Sequence, residues 1–513
     1  MLTAAARLLA SLSIAPWRHG GAARRGARPS SGPAGARPEF DALEARAHLD
    51  GAFTYTSYFP EGYTAENINE FVPLTNTNGV AVEFELHARY EWGERDQLLA
   101  SGTIPPTARG GVTISDSQNP AAALARPNVP YALVLRATAP LAATFSHYDF
   151  GTAIGESFTT FTSTDWSFPD ARKDSAGARS FVLVYNPADA ATNLILTVFP
   201  ESGGTFTFVQ TVEAQRRTGW SVEDLPGVPA GPVSLRVTSS APVVAAISHY
   251  ELQSQRGFGT IGVVDGGATA GIIPSVEFDD FFYEINGSDF DSGRPRFAAS
   301  ASVSILNPGN SPANVSLVFL PDDDSPEPLT QTIVVPAQSR RTFDVSELAQ
   351  AGYVVGDSLS ALYQSDQPVA VTSSVNQGMD ATGSISGTLA ATWWEFGEGY
   401  MSSTRAGRAV QQTFYFFNPT SARTTVTMDF IFTNGTAGTI ELELAAFDML
   451  RFAVHDEPVI RDRAVDQWYG VLVTSTVPIT AMMEHWDGGN GGGFATFGMP
   501  DDSVVPLSTA LNI

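Results

Sequence analysis

The stretch that decides the fold runs from Ser302 to Gln377. It opens with Val303-Ser304-Ile305-Leu306-Asn307-Pro308 and continues as Ala313-Asn314-Val315-Ser316-Leu317-Val318-Phe319. It then reads Val335-Pro336-Ala337-Gln338-Ser339-Arg340-Arg341-Thr342 and closes with Gln364-Ser365-Asp366-Gln367-Pro368-Val369-Ala370-Val371. An apolar run ends in Asn-Pro, where proline fixes its own φ, drives the preceding residue out of the helical region, and Asn can bond its own backbone. The next run alternates apolar and polar side chains, the period of a strand with one buried face.

These landmarks recur. The Asn turn is Asn76-Thr77, Asn186-Pro187, Asn307-Pro308 and Asn418-Pro419. The alternating strand recurs at Val80 to Leu86, Asn193 to Phe199 and Thr425 to Phe432. The third landmark recurs at Ala214-Gln215-Arg216-Arg217-Thr218 and, more loosely, at Ala108-Arg109-Gly110 and Ala446 to Phe452. The fourth is a strand led into by Thr138-Ala139-Pro140, Ala241-Pro242, Gln367-Pro368 or Val477-Pro478. Seven residues after that proline stand His147, His249, Val375 and His485. A Gly-rich loop and a short final strand follow. The three Asn-Pro pairs lie 121 and 111 residues apart, the size of a sandwich domain and far above solenoid or propeller periods.

The expectation is therefore all-β: four tandem antiparallel β-sandwich (Ig-like) domains. They are placed at 52–161, 162–277, 278–392 and 393–513, with residues 1–51 outside the repeats. Phe278 to Tyr283 and Trp393 to Tyr400 are expected to be the first strands of the third and fourth copies. The links between copies are short and apolar, so the copies are expected to pack on each other as a covalent pseudo-tetramer.

Composition bounds the rest. The chain has 513 residues, 43% of them hydrophobic and 16% charged, with Gly 46, Pro 33 and Phe 32. That suits several packed cores joined by turns. There is no cysteine, which excludes disulfides, thiolate metal sites and cysteine nucleophiles. The net charge is −25, and Lys173 is the sole lysine. An acidic surface repels nucleic acid and anionic lipid, and no apolar run nears the roughly 20 residues that span a bilayer. Residues 1–38 hold six arginines and no acid. They read as a secretory signal, an organellar transit peptide or an extension from an upstream start.

The repeat, in its third and first copies, resembles the sensory rhodopsin transducer family. The residues that carry this are Phe59-Pro60-Glu61-Gly62-Tyr63, Leu306-Asn307-Pro308, Val335-Pro336-Ala337 with Arg340-Arg341-Thr342, and Ser365-Asp366-Gln367-Pro368-Val369. It also resembles tandem Ig-like domains of uncharacterised bacterial surface proteins. The transducer resemblance implies a β-sandwich similar to carbohydrate-binding modules, assembling as a homotetramer. This chain departs from it by carrying four copies in one polypeptide and by lacking any mark of a rhodopsin-binding surface.

No catalytic constellation emerges. His147, His249 and His485 occupy one position in three copies, and Val375 replaces them in the third. They read as strand histidines bonded to backbone, with a binding role as the alternative. Asp279, Asp280, Asp289 and Asp291 are the calcium candidates, although their spacing does not fit an EF-hand loop. Trp393 and Trp394 are the candidates for a sugar-stacking platform. As adjacent strand residues they point to opposite faces, so one is buried and the other free to meet a ligand. The functional expectation is a non-enzymatic structural or adhesive protein, secreted or of the cell envelope, with a cytoplasmic location as the alternative. A carbohydrate- or small-ligand-binding module array is the second reading. The expected partners are glycans or other surface proteins, with no cofactor, no nucleic acid and no membrane span.

Overall fold

The computed structural model describes residues 53–513 apart from 175–176, 255, 277–298, 322–327, 346, 349–358, 378–379, 402–409, 436, 455–456, 458–459, 461–466, 488–492, 502–503 and 512–513. The architecture is all-β, made of stacked antiparallel sheets. In the first copy the strands are β1 (Tyr55–Phe59), β2 (Asn69–Asn76), β3 (Val82–Tyr90), β4 (Asp96–Ile104), β5 (Ala108–Ser115), β6 (Tyr131–Ala137), β7 (Ala142–Asp149) and β8 (Thr152–Ser157). One sheet has the order β1-β6-β3-β4 and the other β5-β2-β7-β8. They enclose a core that includes Val72, Leu74, Phe84, Leu133, Leu135 and Phe145.

The same pairing recurs along the chain, with β6 and β7 fused into one long strand: Gly231–Glu251, Leu359–Gln377 and Gln467–Asp487. The first half of Gly231–Glu251 pairs with the β3 counterpart Thr192–Pro200, and the second half with the β2 counterpart Ala178–Tyr185. Proline lies at the crossover. Its missing N–H cannot serve a central ladder, so it sits where the strand leaves one sheet for the other. The register against the first strand jumps there, between Thr238 and Val243 and again between Thr474 and Ile479.

Ala268–Ile273 pairs with Leu359–Gln377 and Leu389–Phe396 pairs with Gln467–Asp487. Both strands therefore start before the positions 278 and 393 read from the sequence. Phe278 to Tyr283 lies outside the described residues, as do the calcium candidates Asp279, Asp280, Asp289 and Asp291.

The four turn asparagines do more than bend the chain. Each is fully buried. Asn307 Nδ2 donates to the carbonyls of Ser311, Val335 and Pro336 at 2.8, 3.0 and 3.1 Å, and its Oδ1 accepts from Gly309 N at 3.0 Å. Asn76, Asn186 and Asn418 make the corresponding bonds. A second turn closes on the first. Thr107, Gln215, Gln338 and Phe447 each sit in the left-handed region and donate N–H to the carbonyl two residues past the asparagine. Each asparagine thus clamps two hairpins. Asn307→Ala strands buried carbonyls, and the expected loss is about 2 kcal/mol in urea unfolding. Asn307→Asp should lose a similar amount, because a carboxylate cannot donate. A loss below about 0.5 kcal/mol in both variants would refute the clamp.

Candidate functional site

The equivalent positions around the histidines all face one strand. His147 pairs across the ladder with Ile154, His249 with Phe258, Val375 with Thr382 and His485 with Phe494. On the other side the cross-strand partners are Glu70, Ser180, Ala301 and Gln412. Partner and position change together: a carboxylate, a hydroxyl or an amide faces histidine, and alanine faces valine.

His147 Nδ1 meets Glu70 Oε1 at 2.9 Å, and Nε2 lies 4.0 Å from Asp149 Oδ2. Burial alone would push its pKa down. Bonds from Asp149 and Glu70, with the charges of Glu70 and Glu61, outweigh that and raise it to about 10. His249 bonds Ser180 Oγ at 2.8 Å and its pKa falls with burial. His485 bonds Gln412 at 3.0 Å. One histidine is a buried cation and another a buried neutral ring, and the three belong to separate sandwiches. Trp394 sits in the core of the fourth copy, with Nε1 donating to Ile479 O at 2.9 Å. It does not reach a surface. Trp393 is half-buried and donates to Glu395 at 3.0 Å.

The strand those histidines face is the edge of the second sheet in each copy: β8, Arg256–Ile261, Asp380–Ile385 and Phe494–Phe497. These four edges meet one another in cyclic order, β8 against Arg256–Ile261, then Asp380–Ile385, then Phe494–Phe497, and back to β8. A small residue recurs at one position: Gly155, Gly259, Gly383 and Ala495. A Cβ on Gly155 would lie 2.6 Å from Phe494, on Gly259 3.2 Å from Ile154, and on Gly383 2.4 Å from Phe258. Each of the three glycines receives the bulky side chain of the preceding copy, and Phe494 against Gly155 closes the ring from the fourth copy onto the first. The next position carries Glu156, Thr260, Ser384 and Thr496. Thr260 donates to Glu156 Oε2 at 3.2 Å, Thr496 donates to Oε1, and Ser157 N donates to Oε1 at 2.8 Å. Burial raises the Glu156 pKa from 4.5 to about 7, and these hydrogen bonds oppose the rise.

Two further sets of contacts repeat around the ring. Ser248 donates to Glu61, Ser374 donates to Asp170 at 3.0 Å, and Ser146 donates to Glu398. At the remaining junction the sequence exchanges the two types, with Ser275 at the acid position and Glu484 at the serine position. The second set uses the arginines of the third landmark. Arg217 pairs with Glu91, and Arg109 lies 5.3 Å over Trp468 and near the Glu398 charge. Arg340 is the most enclosed. Its Nε donates to Ser234 Oγ at 3.0 Å, Nη1 to Glu201 Oε2 at 2.7 Å, and Nη2 to Ser304 Oγ at 3.1 Å. In the fourth copy this position is Met449, which packs with Val318, Leu362, Tyr415 and Met482 in an apolar junction. Sequence reading assigned these arginines to turns and strand edges. What it missed is that they bridge copies.

Among the described residues, no group of three or more His, Asp or Glu is arranged to hold a metal ion. No helix among them is long and apolar enough to cross a membrane.

No family model and no curated protein matches the chain. Among solved structures, the Anabaena sensory rhodopsin transducer is 21% identical, covering 20% of this chain and 93% of its own at a TM-score of 0.15. A tetra-tandem repeat from the extending region of a large adhesion protein is 10% identical over 84% of this chain and 93% of its own, TM-score 0.11. A GH2 β-galacturonidase from Eisenbergiella tayi is 9% identical over 65% of this chain and 44% of its own, TM-score 0.15. Scores this low carry no argument about shared function.

Proposed function

We propose that this chain is a non-enzymatic structural or adhesive protein of the cell envelope or exterior, built as four β-sandwich domains closed into one ring. The observation that supports this is where the buried polar groups go. Glu61, Asp170, Glu398, Arg217 and Arg340 are each committed to a neighbouring copy. Groups of this kind in an enzyme would converge on a cleft and aim at substrate. Here they align sandwich against sandwich, and heterologous contacts that close into a ring make a rigid body of fixed size.

Small-angle scattering on the full chain tests the shape. A compact body of this length has a radius of gyration of about 24 Å, and four sandwiches in a row would give roughly twice that. The larger value would overturn the ring. Antibody labelling of intact native cells tests the location, and protein confined to the cytosol would overturn that part. Sequencing the native N-terminus would show how residues 1–38 are processed.

A further inference from the structure

The hairpin between β7 and β8 turns on two residues, Phe150 and Gly151, with φ of +51° and +82°. Two successive left-handed residues make the tight hairpin turn that favours Asn-Gly or Asp-Gly. Phenylalanine is a poor conformational choice at the first of these positions, and its ring is 43% exposed. The turn is held from both sides: Asp149 Oδ1 accepts from Phe150 N at 2.7 Å, and the Phe150 ring lies 5.0 Å from Tyr250 of the second copy. Backbone strain kept in place by its surroundings is a mark of a site.

Beside this turn lies a cavity of about 630 Å³ lined by Asn67, Asn69, Phe71, Tyr148, Phe150 and Thr152, with Asp149 and Gly151 at the turn itself. That size suits a small ligand. Phe71 meets Tyr148 edge-on at 6.3 Å. Asn69 Oδ1 accepts from Ser117 N at 2.6 Å, which fixes the amide and leaves its nitrogen as donor. Asp149 already faces the His147 cation.

We propose that this cavity binds an uncharged saccharide. Aromatic faces take the C–H face of a sugar ring, and the Asn67 and Asn69 amides and Asp149 answer its hydroxyls. A cation would need a carboxylate not already matched by His147. The site stands independently of the ring's structural role.

The test uses the full chain with cellobiose, xylobiose and N,N′-diacetylchitobiose, and tetramethylammonium as the cationic control. Saturation-transfer NMR and calorimetry should show saturable binding of at least one disaccharide, with transfer strongest to ring C–H protons. Phe150→Gly suits the left-handed turn and removes the ring; it should weaken binding at least tenfold with the unfolding midpoint unchanged. Asn67→Ala should weaken it about threefold. The proposal is overturned if no disaccharide binds, if Phe150→Gly binds as well as wild type, or if only tetramethylammonium binds. None of these results would change the scattering curve, so the ring reading is judged separately.

Discussion

Replacing Arg340 by alanine is expected to destabilise the chain by about 4 kcal/mol. The guanidinium is fully enclosed between the second and third copies, and it satisfies Glu201, Ser234 and Ser304 at once. Burial pulls its pKa down, and the charges of Asp170 and Glu201 act against that, so it remains a cation held by fixed anions. Removing the guanidinium leaves an enclosed space beside Ser234, Ser304 and the inner oxygen of Glu201, and breaking a buried pair by removing one partner typically costs 3–5 kcal/mol. Two controls locate the effect. Arg340→Lys keeps the charge and loses the fork geometry that lets one group meet three partners, and it should recover less than half of the loss. Arg340→Met should fall between, because Glu201 is about one-third exposed and can turn to water. The fourth copy already uses methionine at the matching position, Met449, against an apolar neighbour. Urea unfolding of the three variants measures this, and a loss under 1 kcal/mol for Arg340→Ala would show that the junction does not depend on it.

The second large effect is on pH. Glu156 titrates near 4.5 when unfolded and near 7 when folded. Between those values the folded chain holds more protons, so stability falls as pH rises. The contribution is fully present below pH 4.5 and lost above about pH 7, which amounts to about 3 kcal/mol at 1.36 kcal/mol per pH unit. Glu61, Glu395 and Glu398 are raised by burial as well and add to the same slope. His147 acts in a higher window: its stabilisation is present below pH 6.5 and lost as pH rises through about 10. Comparing wild type with Glu156→Gln isolates the axial group. The amide never ionises; its oxygen keeps the acceptor for Thr496 and Ser157 N, and its NH2 faces the Thr260 hydroxyl, which can turn to accept. The variant should be more stable than wild type at pH 8 and about equal at pH 4.5. Parallel curves for the two proteins across that range would sink this account.

How much of this was legible depended on whether the signal lay within one copy. The Asn turn, the alternating strand and the proline in the long strand are local, since each rests on backbone preferences and side-chain period. They led to the all-β, antiparallel class of the fold. The junctions are not local. Arg217 and Arg340 read as turn residues because the turn fixes their spacing, while their partners Glu91 and Glu201 belong to the preceding copy. A usable signal was present in the alignment of copies. The position after the histidine's cross-strand partner repeats Gly, Gly, Gly, Ala, and serine and acid exchange places between Ser275 and Glu484. A small residue kept in register on an otherwise bulky strand marks a close approach. The partner of His147 was also within reach, because Glu70, Ser180, Ala301 and Gln412 each stand six residues before the turn asparagine. For the tryptophan pair, alternation tells which face a side chain takes and not what covers that face. Trp394 is enclosed by its own copy, and Trp393 is tied to Glu395.

Joining the copies in one polypeptide has a consequence at the axis. In an assembly of identical chains, any residue there appears once per chain, and a glutamate at this position would bring four like charges together in a dry centre. Such a set could not ionise, and it would compete for the hydroxyls that a lone carboxylate needs. A single chain breaks that equality. It can place one acid, Glu156, between Thr260 and Thr496, and give the centre one proton to gain or lose. Linkage here confers individuality on positions that symmetry would otherwise force to be the same.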